Sequence, residues 1–275
     1  MIKLLALDLD DTLLTEELRI SGENQRAIRA AEAAGVKVLL ASGRTLFSMR
    51  SYGLRLGMWQ NEGFMIANNG ATVLSTQNGA TILEKQLDPS IGLEAWKIVQ
   101  KYNLTMQYYG DGEIFCSGPS TYTEEDCRLT GQQWRESRPF SSSLNSPRTK
   151  FVVPGDPAIL PRLEAELKEQ LGHRANIFIS KPYFLEILSR DADKGLALAF
   201  VAEKLSIPTQ QVMAVGDSMN DYGMLKWAGV GVAVANAAPE VLKVADHITS
   251  RSHQEHAVAE AIEHFIPEAL HPSLF

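Results

Sequence analysis

Ile2-Lys3-Leu4-Leu5-Ala6-Leu7-Asp8-Leu9-Asp10-Asp11-Thr12-Leu13-Leu14 decides how the chain is read. The apolar run from Ile2 to Leu7 has the pattern of a strand buried on both faces, as in the middle of a parallel sheet. It ends in three carboxylates and a threonine within five positions. Side chains two apart on a strand point the same way, so Asp8 and Asp10 share a face if the extended geometry persists. Two carboxylates ~4 Å apart repel by about 4 kcal/mol at an effective dielectric of ~20. Something positive or protonated is expected there to hold them.

Outward from this strand the chain alternates. Ser21 is placed to cap a helix running to Ala34, with Ala27, Ile28, Ala31 and Ala34 at helical spacing and Gly35 closing it. Val36 to Ala41 is a second apolar strand that ends in Ser42-Gly43-Arg44. A helix from Thr45 to about Leu56 and a strand from Phe64 to Ala67 follow, before Asn68-Asn69-Gly70. The β-α-β-α-β rhythm predicts a parallel sheet with its functional loops at the strand C-termini. Thr72 to Ser75 and Thr81 to Glu84 flank Asn78-Gly79, a hairpin signal.

The rhythm changes near Gln86. Expected next are a helix from Pro89 to Tyr102, strands over Leu104 to Tyr109 and Glu113 to Ser117 around Gly110-Asp111-Gly112, and a helix from Tyr122 to Glu136. A polar loop from Pro139 to Pro147, a strand from Lys150 to Val153 and a helix from Pro157 to Leu171 precede a hairpin, Asn176 to Ser180 with Tyr183 to Ser189. This order suits a mostly antiparallel α+β domain inserted into the first. The boundaries drawn are 1–85 and 190–275 for the core and 86–189 for the insert. The parallel rhythm then resumes: helix Lys194 to Leu205, strand Val212 to Val215, helix Met219 to Trp227 and strand Val230 to Val234. A short helix after Pro239, a strand around His247 to Thr249 and a helix from Glu255 to Phe265 complete it. The fold class is therefore α/β, a doubly wound parallel-sheet core with an inserted α+β domain.

Composition agrees with a globular enzyme. The 275 residues are 45% hydrophobic and 21% charged, enough to bury a full core. A net charge of −7 argues against a nucleic-acid surface, which needs a basic patch. The two cysteines, Cys116 and Cys127, imply no disulfide framework and suit a reducing, cytoplasmic compartment. No signal peptide or membrane-length apolar stretch is read from the sequence, so no membrane partner is expected.

The chemistry lies at the predicted strand ends. Val212 to Val215 leads into Gly216-Asp217-Ser218-Met219-Asn220-Asp221, with Gly216 letting the backbone approach a ligand closely. Asp8, Asp10, Asp217 and Asp221 together point to a hard-cation site, and all-oxygen ligands suit Mg²⁺ better than zinc. Ser42-Gly43-Arg44 stands before a helix, where backbone N–H groups favour an anion. Lys194 at a helix start offers phosphate a point charge. Each feature alone is commonly a cap or a solvated residue. Their order, at successive sheet edges, carries the weight.

Asp8-Leu-Asp10-Asp11-Thr12, Ala41-Ser42-Gly43-Arg44, Asp193-Lys194-Gly195 and Gly216-Asp217-Ser218-Met219-Asn220-Asp221 resemble the four motifs of the haloacid dehalogenase superfamily. The insertion between the second and third motifs, Phe184 to Ile187 and Gly231 to Asn236 resemble its Cof-like phosphatases. The resemblance implies a mobile cap that selects the ester, and Mg²⁺-dependent hydrolysis of a small phosphorylated metabolite, such as a sugar phosphate or phosphorylated cofactor. It implies Asp8 as nucleophile, forming an aspartyl-phosphate, and Asp10 as acid and base. Metal ligands would be Asp8, the Asp10 carbonyl and Asp217, with Ser218 or Asp221 helping directly or through water. The phosphoryl oxygens would meet Ser42, the Gly43 and Leu9 amides, Lys194 and Asn220. Asp11 stands where the family often has Gly and is left as a turn residue; His256 also stands where Gly is frequent. A phosphomutase of the same fold and a non-catalytic metabolite binder are the alternatives.

Other signals are weaker. Gly229-Val-Gly231 lacks the helix start and third glycine of a nucleotide loop and reads as a tight strand entry. His247, His253 and His256 read as surface residues rather than metal ligands. Trp96, Tyr108 and Tyr109 read as core of the inserted domain. Asn69 is open to two readings, facing the substrate or only making its turn.

Overall fold

The structure, a computed structural model, describes residues 1–60, 63–110 and 112–270. By packing, the chain divides into a core unit, Met1–Leu83 with Asp193–Phe275, and an inserted unit, Glu84–Ala192.

The core unit opens with β1 (Leu4–Leu7), every side chain of which is buried. The chain then leaves the extended path in a tight turn over Leu9–Leu13, with Asp11 at φ 59°. α1 (Gly22–Ala33) is capped by Ser21, whose hydroxyl accepts from Asn24 N–H. β2 (Lys37–Ala41) leads to α2 (Leu46–Leu56), capped by Thr45 and stopped by Gly57 at φ 77°. β3 (Phe64–Ala67) follows, then β4 (Thr72–Ser75) and β5 (Thr81–Glu84).

In the inserted unit come α3 (Pro89–Lys101), β6 (Gln107–Gly110), β7 (Glu113–Cys116), α4 (Thr121–Thr130), β8 (Gln133–Glu136), α5 (Phe140–Ser143), β9 (Lys150–Pro154), α6 (Leu160–Leu171), β10 (Ala175–Lys181) and β11 (Phe184–Ser189). The chain returns to the core with α7 (Lys194–Lys204), β12 (Val212–Gly216), α8 (Tyr222–Trp227), β13 (Val230–Ala233), α9 (Pro239–Leu242), β14 (His247–Ile248) and α10 (Ala257–Phe265). No helix among the described residues is long and apolar enough to cross a membrane.

Among the described residues the core holds an eight-stranded sheet in the order β14-β13-β12-β1-β2-β3-β4-β5. The strands from β14 to β3 run parallel, and β4 turns back antiparallel on β3. The register sets the site. Leu7 lies opposite both Leu40 and Val215, so β1, β2 and β12 end level with one another. Asp8, Ser42 and Asp217, each just past its strand, are thereby brought to one edge. Leu4, Leu5, Leu7, Leu39, Leu40, Met213 and Val215 are fully buried beneath them. A leucine-sized side chain contributes roughly 1.5–3 kcal/mol on full burial, so the floor of this edge is strongly stabilised.

The inserted unit has its own six-stranded sheet, β10-β11-β9-β6-β7-β8, and its own apolar core. Leu163, Leu167, Leu171, Leu185 and Ile187 belong to it, with Tyr108 buried in it and Trp96 packed against it. Among the described residues its pairs are antiparallel except β7 with β8.

Four expectations from the sequence are corrected. The helix drawn from Tyr122 to Glu136 stops at Thr130, because Gly131 takes φ 73° and ends it; Gln133–Glu136 is then β8, alongside β7. The polar loop from Pro139 to Pro147 holds the short α5, anchored by buried Phe140 and Leu144, with Phe140 edge-on to Trp96 at 5.1 Å. The helix drawn from Met219 starts at Tyr222, since Asp221 N–H turns back onto the Ser218 carbonyl. The helix drawn from Glu255 starts at Ala257, after His256 at φ 69°. That is a conformation suited to glycine, so the backbone here keeps a glycine-like turn with a histidine in it. Asp111 of the expected Gly110–Gly112 turn lies outside the described residues.

Candidate active site

Lys194 is the centre of the site. As the first residue of α7 it follows Asp193, whose carboxylate caps that helix by accepting from Leu196 N–H at 2.9 Å. Gly70 lets the Asn68–Gly70 turn lie against this start: a Cβ on Gly70 would stand 2.2 Å from the Asp193 carbonyl oxygen. The Lys194 side chain is fully buried, and its Nζ donates to Asp8 Oδ1 at 2.7 Å and Asp221 Oδ1 at 2.6 Å. Burial by itself lowers an ammonium's pKa; the two carboxylates outweigh it and raise that of Lys194.

Oxygen atoms of Asp8, Asp217 and Asp221 lie within 4.8 Å of one another. Burial, then the charge of Asp221, raises the Asp8 carboxyl well above the ordinary carboxylate range against the pull of Lys194, with Asp217 adding to the rise. Asp217 is pushed up to about 7, first by burial and then by Asp221. Three carboxylates thus face one ammonium. A hard divalent cation fits this surplus of negative charge and these all-oxygen donors.

Within the cluster the three acids differ. Asp221 is fully buried, and each of its oxygens is already engaged: Oδ1 by Lys194, Oδ2 by the N–H groups of Asp217 at 3.0 Å and Ser218 at 3.1 Å. Asp217 Oδ1 accepts from the Thr12 hydroxyl at 3.1 Å, which ties the turn after β1 to the turn after β12. The Ser218 hydroxyl turns to Asn220 Oδ1 at 2.6 Å. Gly216, expected to let a ligand approach, also makes room for Asp221: a Cβ there would stand 2.6 Å from the Asp221 Cβ and Cγ.

The chain leaves the extended path at Leu9, yet Asp10 stays close enough for its charge to add to the rise of the Asp8 carboxyl. The Asp10 carboxylate turns to Arg44, which donates from Nε to Oδ2 at 2.8 Å and from Nη2 to Oδ1 at 2.6 Å. Burial lowers the Arg44 pKa and the Asp10 contacts raise it; the net direction is upward. Ser42 is buried, and its hydroxyl accepts from Arg44 N–H at 3.2 Å. Gly43 lies against Asn69, whose Oδ1 would be 3.0 Å from a Cβ on Gly43. Asn69 Oδ1 also accepts from Asn220 Nδ2 at 2.9 Å. Leu9, the first residue of the turn, buries its side chain completely.

Sequence reasoning gave Arg44 and Thr12 no role, although both stood inside quoted motifs, and it left Asn69 open. It missed Asn236, whose Nδ2 donates to the Asp11 carbonyl at 2.8 Å while its Oδ1 accepts from His253 N–H at 2.9 Å. Asp11 therefore has a fixed turn. The histidines lie in separate settings: His253 Nε2 is 3.8 Å from Asp11, His256 Nε2 is 3.5 Å from Glu23, and His247 stacks on His264.

Known proteins resemble this chain along nearly its whole length. A family model described as haloacid dehalogenase-like hydrolase matches residues 5–262. The 5-amino-6-(5-phospho-D-ribitylamino)uracil phosphatase YcsE of Bacillus subtilis (strain 168) is 32% identical over 268 residues, covering 96% of each chain. An HMP-PP phosphatase of Cronobacter sakazakii (strain ATCC BAA-894) is 29% identical, covering 100% of this chain and 98% of its own. The crystal structure of a haloacid dehalogenase-like hydrolase from Bacteroides thetaiotaomicron superposes with a TM-score of 0.89 at 32% identity, over 96% of this chain and 99% of that one.

Proposed function

The chain belongs to the haloacid dehalogenase-like hydrolases, and on that premise we propose that it is a Mg²⁺-dependent phosphatase of a small phosphorylated metabolite, working through a phospho-aspartate. Two of its relatives are named as phosphatases of such compounds. The observation that carries the reading is the buried Lys194 bridging Asp8 and Asp221 beside Asp217. A buried carboxylate held by an ammonium at a sheet edge has a nucleophile's geometry, and a purely structural pair needs no third acid beside it.

In this reading an Asp8 oxygen attacks phosphorus, its bond to phosphorus forms and the ester P–O bond breaks. Asp10 gives its proton to the departing oxygen, then takes one from the water that splits the aspartyl-phosphate, a role worth ~10²–10⁴ in rate. Ser42, the Gly43 and Leu9 amides, Lys194 and Asn220 meet the phosphoryl oxygens, where charge builds up. Asp8, Asp217 and the Asp10 carbonyl would hold Mg²⁺. Asp221, with both oxygens engaged, would set the positions of Lys194 and the turn. Bound there, the cation would offset negative charge on the phosphoryl group. The inserted unit is assigned the choice of ester.

Phosphate release from para-nitrophenyl phosphate tests the reading, with and without Mg²⁺, in the wild type and in Asp8→Asn. The expected result is Mg²⁺-dependent turnover that the variant lacks while keeping its circular dichroism spectrum. Undiminished release by Asp8→Asn would overturn the assignment.

A further inference from the structure

We propose that Arg44 is a positioning residue for the proton-transfer step, holding the Asp10 carboxyl in the orientation from which it protonates the leaving oxygen. The inference rests on the roles given above to Asp8 and Asp10. It adds a residue whose side chain has no part in the phosphoryl contacts assigned to Ser42, Gly43, Lys194 and Asn220.

The geometry points to Arg44 in three ways. First, the contact is bidentate, Nε to Oδ2 at 2.8 Å and Nη2 to Oδ1 at 2.6 Å. Two parallel N–H···O bonds fix the plane of a carboxylate, which a single donor does not. An ionised carboxyl has about four lone-pair sites, so a fork of two bonds orients it without using them all. Second, Arg44 is itself held. Its side chain is 9% exposed, Nη1 donates to Ser48 Oγ at 3.1 Å in the first turn of α2, and the guanidinium lies 5.6 Å from the centre of the Tyr52 ring. Tyr52 is anchored in turn, its hydroxyl donating to the Leu18 carbonyl at 3.4 Å. Third, Asp10 needs such a partner. It is partly exposed and sits just before Asp11 at φ 59°, in a tight turn. A general acid held loosely there would reach the leaving oxygen only part of the time, and effective proton transfer needs heavy atoms ~2.6–3.2 Å apart.

Arg44 also shares a segment with the phosphate contacts: its own N–H donates to the Ser42 hydroxyl at 3.2 Å. The strand end that grips the phosphoryl group and the side chain that aims the acid are thus built together.

Leaving-group chemistry separates this role from any other. Para-nitrophenolate is a stable anion and leaves with little help, whereas phenolate gains much more from protonation. In Arg44→Met, kcat for phenyl phosphate is expected to fall ~10²-fold, with KM changed little, while kcat for para-nitrophenyl phosphate falls far less. Arg44→Lys, which keeps the charge but not the fork, is expected to lie between. In an Asp10→Asn background, Arg44→Met is expected to cost nothing further on phenyl phosphate, because residues acting as a unit are not additive. Equal losses on both esters, or additive losses in the double variant, would overturn the proposal and leave the phosphatase assignment standing. A wild type that hydrolyses neither ester would instead overturn the assignment itself. Turnover of para-nitrophenyl phosphate reports that Arg44→Met has folded; should it not fold, the Arg44→Lys ratio decides.

Discussion

Lys194 Nζ lies 2.6 Å from Asp221 Oδ1, and neither side chain has any exposed surface. The pair joins the start of α7 to the turn after β12 and leaves the ammonium aimed at Asp8. Asp221 does three things at once, since its other oxygen gathers the N–H groups of Asp217 and Ser218.

Asp221→Asn should therefore act on stability before chemistry. An amide keeps an oxygen for the turn but presents an uncharged group to a buried ammonium. Removing one partner of a buried pair typically costs ~3–5 kcal/mol. A lower urea midpoint at an unchanged m-value is expected; a midpoint equal to the wild type would show that Asp8 alone satisfies Lys194.

The acid cluster also sets a pH dependence in metal-free buffer. Asp217 has its ordinary pKa of 3.8 raised to about 7 in the folded chain, and Asp8 is raised as well. The folded state then holds protons that the unfolded state has released, so stability is fullest below the unfolded carboxylate range and is lost as pH rises to about 7. Urea unfolding in chelator across this range should show the decline, and Asp217→Asn should flatten it. Mg²⁺ should restore stability near neutrality, by ~2.7 kcal/mol at a hundred times its Kd. A wild-type Tm that ignores millimolar Mg²⁺ would count against the metal site.

Asn69 links the strand end after β2 to the turn after β12, through Gly43 on one side and Asn220 on the other. Asn69→Ala removes the bond that orients Asn220. A hydrogen bond worth ~1 kcal/mol corresponds to roughly a fivefold fall in kcat/KM. Inhibition by inorganic phosphate should weaken in parallel; unchanged inhibition would confine Asn69 to its turn.

Gly216→Ala tests what the glycine is for. The added methyl would meet the Asp221 Cβ and Cγ at 2.6 Å, and overpacking of this kind costs ~1–3 kcal/mol. Destabilisation is expected with or without phosphate present. A loss confined to phosphate binding would leave Gly216 with ligand approach alone.

The sequence by itself determined the parts of this protein that depend on neighbouring residues. Apolar runs marked β1, β2 and β12, and Ser21 announced a helix start because a cap bonds to an N–H three residues on. The order of Asp8, Ser42, Lys194 and Asp217 was legible for the same reason, each standing just past or at the start of an element. The inserted unit was legible as a change of rhythm, and the helix drawn through Gly131 failed where one left-handed residue outweighed the polar pattern around it. Tertiary structure alone decided what the site residues face. Asp10 turns to Arg44 across 34 positions, Thr12 reaches Asp217 across 205 and Asn69 meets Asn220 across 151. Such partners are fixed by sheet order and register, which bring distant strand ends together, and no local periodicity encodes them. The opening puzzle, a buried strand ending in acids, has its answer there: the positive charge beside Asp8 is Lys194, 186 residues away in the chain.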